Sequence, residues 1–152
     1  MSFNYILISG TNRGIGRGLL QRYLVQPNNV VIAANRNPLH PSSESLKHLP
    51  KGEGSRLILI KVDASLEQDA HNAVKELQES YGINHLDLII ANAGVSNIWP
   101  IVAELKITDL EAHMVPNVYG VIWLYQATRS LLKNSNKGPK FVPIGSMAGC
   151  MQ

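Results

Sequence analysis

Tyr5-Ile6-Leu7-Ile8-Ser9-Gly10-Thr11-Asn12-Arg13-Gly14-Ile15-Gly16 runs from an apolar segment straight into three glycines. Tyr5 to Ser9 reads as a buried strand, and Ile15, Leu19, Leu20, Tyr23 and Leu24 recur at helical spacing from Gly14 to about Val25. A glycine turn between a strand and a helix is the context in which backbone holds phosphate. Gly10 permits the tight turn, Gly14 lets backbone approach a pyrophosphate, and Gly16 lets the helix pack close to the strand. Free N–H groups and the dipole at the helix N-terminus favour an anion there. An ordinary turn with a glycine-bearing helix start is the competing reading; the strand before and the helix after favour phosphate binding.

The same alternation continues outward. Pro27-Asn28-Asn29 ends the first helix, and Val30 to Ala34 forms a second strand. Asn37 to Gly54, with its prolines and serines, is mostly loop with one short helix near Glu44 to Leu49. Leu57 to Val62 is a third strand. Ala70, Ala73, Val74, Leu77 and Tyr81 mark a helix that ends at Gly82. Leu86 to Ala91 is a fourth strand. A long helix is expected from about Thr108 to Leu132, capped by Thr108 or Asp109, and Phe141 to Gly145 is a fifth strand. Nearly all-apolar strands joined by helices imply an α/β fold whose parallel sheet is covered on both faces. Right-handed crossovers make it a doubly wound, Rossmann-type sheet of about five strands, in one domain spanning 1–152.

Composition narrows the function classes. Of 152 residues 45% are apolar and 16% charged, which fits a globular chain and argues against disorder. The net charge of +3 invites a nucleic-acid reading, but the basic residues are scattered singly and form no stripe, so none is expected. No apolar run reaches membrane-spanning length and no signal peptide is visible, so no membrane partner is expected. Cys150 is the only cysteine, which fits a reducing compartment such as the cytoplasm. His40, His48, His71, His85 and His113 have no metal-ligand spacing and read as surface or capping residues, so no metal is expected.

The choice of nucleotide follows from charge. A site for NAD wants an acid about 20 residues past the glycines, on the ribose 2′-hydroxyl. Here the second strand ends in Asn35-Arg36 with no acid, and Arg13 lies inside the turn. A guanidinium makes charge-assisted, often bidentate bonds to a 2′-phosphate, so NADP(H) is the expected cofactor. Two solvated surface arginines are the alternative.

The spacing Gly10-x-x-x-Gly14-x-Gly16 resembles the cofactor motif of the short-chain dehydrogenase/reductase family, and the resemblance recurs along the chain. Asp63 matches the family Asp that contacts adenine. Asn92-Ala93-Gly94 matches the segment that supports the sheet beside the cofactor. Asn117-Val118-Tyr119-Gly120 matches the catalytic Asn segment, and Gly145-Ser146-Met147-Ala148-Gly149 the segment with the catalytic Ser. Within the family, the wording at Arg13 to Gly18 and Ile90 to Gly94 resembles fungal ketoreductases of secondary metabolism. The resemblance implies hydride transfer between NADP(H) and a small-molecule ketone or aldehyde. Ser146 would hydrogen-bond the substrate oxygen, Asn117 would anchor a water of the proton relay, and Gly10, Asn12, Arg13, Gly14, Ile15, Gly16, Arg36, Asp63, Asn92, Ala93 and Gly94 would hold the cofactor.

The family's Tyr-x-x-x-Lys motif supplies the proton, with the Lys lowering the pKa of the Tyr. None of the five tyrosines here is followed by a Lys at that spacing. The chain therefore reads as the N-terminal, nucleotide-binding part of such a reductase, truncated relative to the family and inactive alone; general acid–base catalysis alone is typically worth ~10²–10⁴-fold. The alternative is a naturally short, non-catalytic protein that binds NADP(H) or a partner, including a full-length reductase. Pro116 is expected to kink the long helix, and Pro143 to be tolerated because the fifth strand lies at a sheet edge. An incompletely covered fifth strand and long helix imply self-association or poor solubility. Trp99, Val102 and Tyr119 read as core-packing residues, with a substrate cleft as the alternative.

Overall fold

The computed structural model describes residues 2–146, and within them strand and helix alternate as the sequence implies. β1 (Asn4–Ser9) passes through the glycine turn into α1 (Gly14–Leu24), and β2 (Asn29–Asn35) into a short α2 (Pro41–Glu44) that tightens to a 3-10 turn (Ser45–His48). β3 (Arg56–Lys61) leads into α3 (Glu67–Tyr81), and β4 (Leu88–Ala91) into a long helical run before β5 (Lys140–Pro143). Among the described residues the strands form one parallel sheet in the order β3-β2-β1-β4-β5. The chain winds outward through β2 and β3, then crosses back past β1 to β4 and β5. The order therefore reverses between β1 and β4, and a crevice opens there at the carboxyl ends of the strands.

Strand alternation sorts the apolar residues into two cores. Leu7, Val30, Ile32 and Ile89 face Ala73 and Leu77 of α3 and Leu124 and Leu131 of the later helix. Ile6, Ile8, Val31 and Ile90 face Leu20 and Leu24 of α1, with Leu46. Every residue of β2 is buried, as a central strand of a doubly covered sheet requires. Each such fully buried Leu or Ile contributes roughly 1.5–3 kcal/mol of transfer free energy, which is what holds the layers together.

The long helix differs from expectation in an informative way. It begins at Ile107, with Lys106 as the cap residue and no capping side chain; Thr108 and Asp109 lie inside the first turn. α4 (Ile107–Met114) widens into a π turn (Val115–Tyr119) and continues as α5 (Gly120–Lys133). Pro116, buried in that turn, has no N–H to give an α-helical bond. The extra residue of a π turn absorbs this defect, so the helical path continues through the site where a kink was expected. The short helix after β2 starts at Pro41 rather than Glu44, with His40 capping it through Nδ1, which accepts the Ser42 N–H at 3.2 Å. β4 starts at Leu88; Leu86 precedes it, fully buried. α3 does end at Gly82, in the left-handed conformation (φ 65°).

β5 is an edge strand among the described residues. The N–H groups of Lys140 and Ile144 donate to Asp87 and Ala91, both at 3.0 Å, so alternate residues turn their nitrogens toward β4. Pro143 falls between them, and its missing N–H removes no bond to β4. Val142 is 38% and Ile144 42% exposed, so the α1 side of this edge is open, as are Ile122 and Tyr125 on α5. No described helix is long and apolar enough to cross a membrane.

At the opposite, amino end of the strands, Asp87 gathers several segments. Its carboxylate accepts the Tyr5 N–H (2.9 Å) and the Ser135 hydroxyl (2.6 Å), and Lys137 Nζ lies 4.0 Å away. Asp87→Ala leaves the Tyr5 N–H without its acceptor and is expected to destabilise the chain by about 2–3 kcal/mol. Urea unfolding measures this. Nucleotide affinity of the folded fraction is expected to stay unchanged, because the crevice lies at the other end of the sheet.

Candidate active site

Four hydrogen bonds join the loops that leave β1 and β4. Ser9 Oγ accepts the N–H groups of Asn92 and Ala93, both at 3.0 Å. The Asn92 carboxamide donates back to the carbonyls of Ser9 (3.0 Å) and Gly10 (3.1 Å). The stitch leaves no space for side chains. Gly10 turns with φ +69° against the backbone of Ala93, and a Cβ on Gly16 would run into the Gly10 carbonyl and the Asn92 amide. Gly10, Gly16, Asn92 and Ala93 are thus one packed unit at the switch point, with Gly94 following at the surface.

The rim beyond that unit is open. Nothing lies within 4 Å of a Cβ built on Gly14, and Ile15 is 66% exposed. The cap residue of α1, Arg13, makes no side-chain bond to the first turn, so the leading N–H groups of the helix face outward. That surface fits an anion. Arg13 and Arg36 flank it, both exposed, with no ion pair among the described residues. Asp63, two residues after β3, accepts the Ser65 N–H at 2.9 Å through one carboxylate oxygen.

Several polar contacts that shape this rim were not legible as pairs in the sequence. Asn35 is 2% exposed; its Oδ1 accepts the Thr11 N–H (2.7 Å) and hydroxyl (3.1 Å), and its Nδ2 donates to Ser43 (3.2 Å). Asn12 reaches Ser42 at 3.1 Å and Arg17 reaches Ser45 at 3.0 Å. The serine-bearing stretch read as loop is therefore the outer clamp of the glycine turn. Asp69, 8% exposed, accepts the Asp63 N–H at 3.0 Å and pairs with Lys61 at 3.4 Å. A polar residue closing an otherwise apolar strand, as Asn35 does, is the one clue that was present.

Beside the crevice lies a second feature, a cleft of about 360 Å³ lined by Val95, Ile98, Trp99, Leu105 and Leu110 together with Ser96, His113, Asn117 and Ser146. Ser146 and Asn117, singled out separately in the sequence, share this cleft. Met147, Ala148, Gly149 and Cys150 lie outside the described residues. The Asn117 carboxamide clasps Val95, accepting its N–H at 2.7 Å and donating to its carbonyl at 2.9 Å. One N–H and one lone pair of that amide remain for a water. Trp99 is 78% exposed and lines the cleft; Val102 (88%) and Tyr119 (45%) are exposed as well. The core-packing reading of these three is corrected: neither core contains Trp99 of the loop after β4, Val102 of the 3-10 turn that follows it, or Tyr119 of the π turn, whose ring meets Trp123.

Known proteins agree with this architecture. The short chain dehydrogenase family model matches residues 4–152. The norsolorinic acid ketoreductase of Emericella nidulans is 41% identical over 140 residues, covering 92% of this chain and 52% of that protein. Its counterpart in Dothistroma septosporum is 41% identical over 141 residues, with the same coverage of 92% and 52%. The chain thus spans about half the length of these relatives. Among solved structures, an NADPH-bound carbonyl reductase from chicken fatty liver superposes with a TM-score of 0.84 at 24% identity, covering 98% of this chain and 62% of that one. The fungal ketoreductases expected from the wording of the glycine turn are among the relatives, and the chain belongs to the short-chain dehydrogenase family.

Proposed function

We propose that this chain is the nucleotide-binding part of an NADPH-dependent carbonyl reductase and contributes Ser146 and Asn117 to its active site. The observation that carries the reading is the open N-terminus of α1 at the switch point, flanked by Arg13 and Arg36 with no acid at the end of β2. Bound NADPH would supply the hydride. The first turn of α1 holds the pyrophosphate through its free N–H groups, with Gly14 leaving room and Asn12 and Ile15 forming the rim. Arg13 and Arg36 bind the 2′-phosphate, and their charge disfavours nothing that NADH offers but rewards the extra phosphate. Asp63 takes the adenine, and Asn92, Ala93 and Gly94 form the floor beneath the nicotinamide.

In the cleft, the Ser146 hydroxyl donates to the carbonyl oxygen of the substrate, polarising the carbon that receives hydride. Asn117 uses its remaining N–H and lone pair to hold a water on the proton path. The kinship with norsolorinic acid ketoreductases supports a ketone substrate. Steady NADPH oxidation by the purified chain with a ketone would exclude a protein that binds nucleotide without turnover.

Calorimetric titration tests the cofactor assignment. Saturable binding with NADPH preferred over NADH by about tenfold or more is expected, the scale of one charge-assisted contact. Arg36→Ala is expected to weaken NADPH by about tenfold and to leave NADH unchanged, since only the 2′-phosphate senses that guanidinium. Equal loss for both nucleotides would remove Arg36 from the 2′-phosphate site. Gly16→Ala, in contrast, forces apart the Gly10 and Asn92 contacts and is expected to weaken both nucleotides alike, by about tenfold or more.

A further inference from the structure

Residues 92–101 follow β4 without regular secondary structure. This stretch carries Ile98 (44% exposed), Trp99 (78%) and Ile101 (65%), so burial does not hold it in place. Two side chains from one helical path do. Asn117, in the π turn, clasps Val95, and His113, four residues earlier on α4, bonds the backbone of Asn97. Residues four apart on a helix lie on neighbouring parts of one face, so both anchors reach the same loop.

The chemistry at His113 leaves one tautomer. Nδ1 lies 2.7 Å from the Asp109 carbonyl, which only accepts, so Nδ1 carries the hydrogen. Nε2 then offers its lone pair to the Asn97 N–H at 2.9 Å. The ring is a strut between the helix backbone and the loop backbone. Beyond Asn97 the Trp99 indole N–H donates to Ser96 Oγ at 3.0 Å, which folds the loop tip back on itself. The strut thereby places Ile98 and Trp99 along the cleft that also holds Ser146.

We propose that His113 is a positioning residue: it fixes the apolar loop wall against which an apolar ketone lies while its carbonyl reaches Ser146. This rests on the reading of the cleft as the substrate site. The lining supports that ligand chemistry, since Val95, Ile98, Trp99, Leu105 and Leu110 present an apolar surface and Ser146 a polar one. His113 lines the same cleft, but both of its ring nitrogens are committed to backbone groups, so its polar role is to hold the loop.

Amide hydrogen exchange and ligand titration on the 152-residue chain test the proposal, with 2-acetonaphthone as the ketone probe at saturating NADPH. His113→Phe keeps the ring and removes both nitrogens. Exchange at Asn97 is expected to accelerate by roughly tenfold and ketone affinity to fall several-fold, with NADPH affinity unchanged. His113→Gln places a side-chain carbonyl near the Nε2 position and is expected to restore both; His113→Asn, too short to reach, is not. Unchanged Asn97 exchange in His113→Phe overturns the strut. Identical behaviour of the Phe and Gln variants does so too, because it would make the position a matter of packing. If the unaltered chain binds NADPH and never the ketone, the reading of the cleft fails and the positioning role falls with it, whatever the exchange shows.

Discussion

The Ser9–Asn92 stitch is the constraint on which the rest of the site depends. Two neighbouring parallel strands deliver their loops to the same place, and both loops need backbone groups satisfied without bulk. Ser9 Oγ accepts two N–H groups of the β4 loop, and the Asn92 amide returns two bonds to the β1 loop. Closing the loops this tightly excludes a Cβ at Gly16 and requires a positive φ at Gly10. The start of α1 is thereby pinned at the crevice, with its free N–H groups facing out. Every other element of the nucleotide rim, from Asn35 and Ser43 to Arg36, is arranged around a turn whose position these bonds set.

The two ends of the sheet divide the labour. At the amino end Asp87 ties β1, β4 and the segment before β5 through buried or half-buried polar bonds. At the carboxyl end Ser9, Thr11 and Asn35 are buried and bonded internally, while Arg13 and Arg36 stand exposed beyond them. A group committed to internal bonds is unavailable to a ligand, so the capacity to hold one lies with that exposed outer layer. This is the arrangement that parallel sheets with strand-end loops permit, since the loops can change without disturbing the two cores.

The sheet was legible in the sequence because apolar strands, a glycine turn and a helix C-cap at Gly82 each have a local physical cause. The glycine turn was legible for the same reason. What escaped were bonds between side chains distant in sequence: Asn35 to Thr11 and Ser43, Asp69 to the Asp63 N–H, His113 to Asn97. Polar residues leave no periodicity, so nothing in the order of residues says which two meet. Pro116 shows the opposite limit. Its expected effect was a kink, yet the π turn over Val115–Tyr119 that accommodates it has no signal in the order of residues. Trp99, Val102 and Tyr119 were misread because a large apolar side chain signals core only when it faces the sheet, and these three face away from both cores.

Two kinds of positioning therefore meet at this site. The nucleotide crevice is shaped by exclusion: glycines and backbone bonds leave one geometry, and a single methyl group is enough to disturb it. The neighbouring cleft is shaped by attachment: a loop with little buried surface is held by Asn117 and His113 from one helical path. Exclusion tolerates almost no change, since a Cβ at Gly16 meets the Gly10 carbonyl and the Asn92 amide. Attachment tolerates changes at Ile98 or Trp99, between the anchors, as long as the anchors stay. The π turn at Pro116 is where the attachment is built, because it lies between the helix that carries His113 and the one that packs on the sheet.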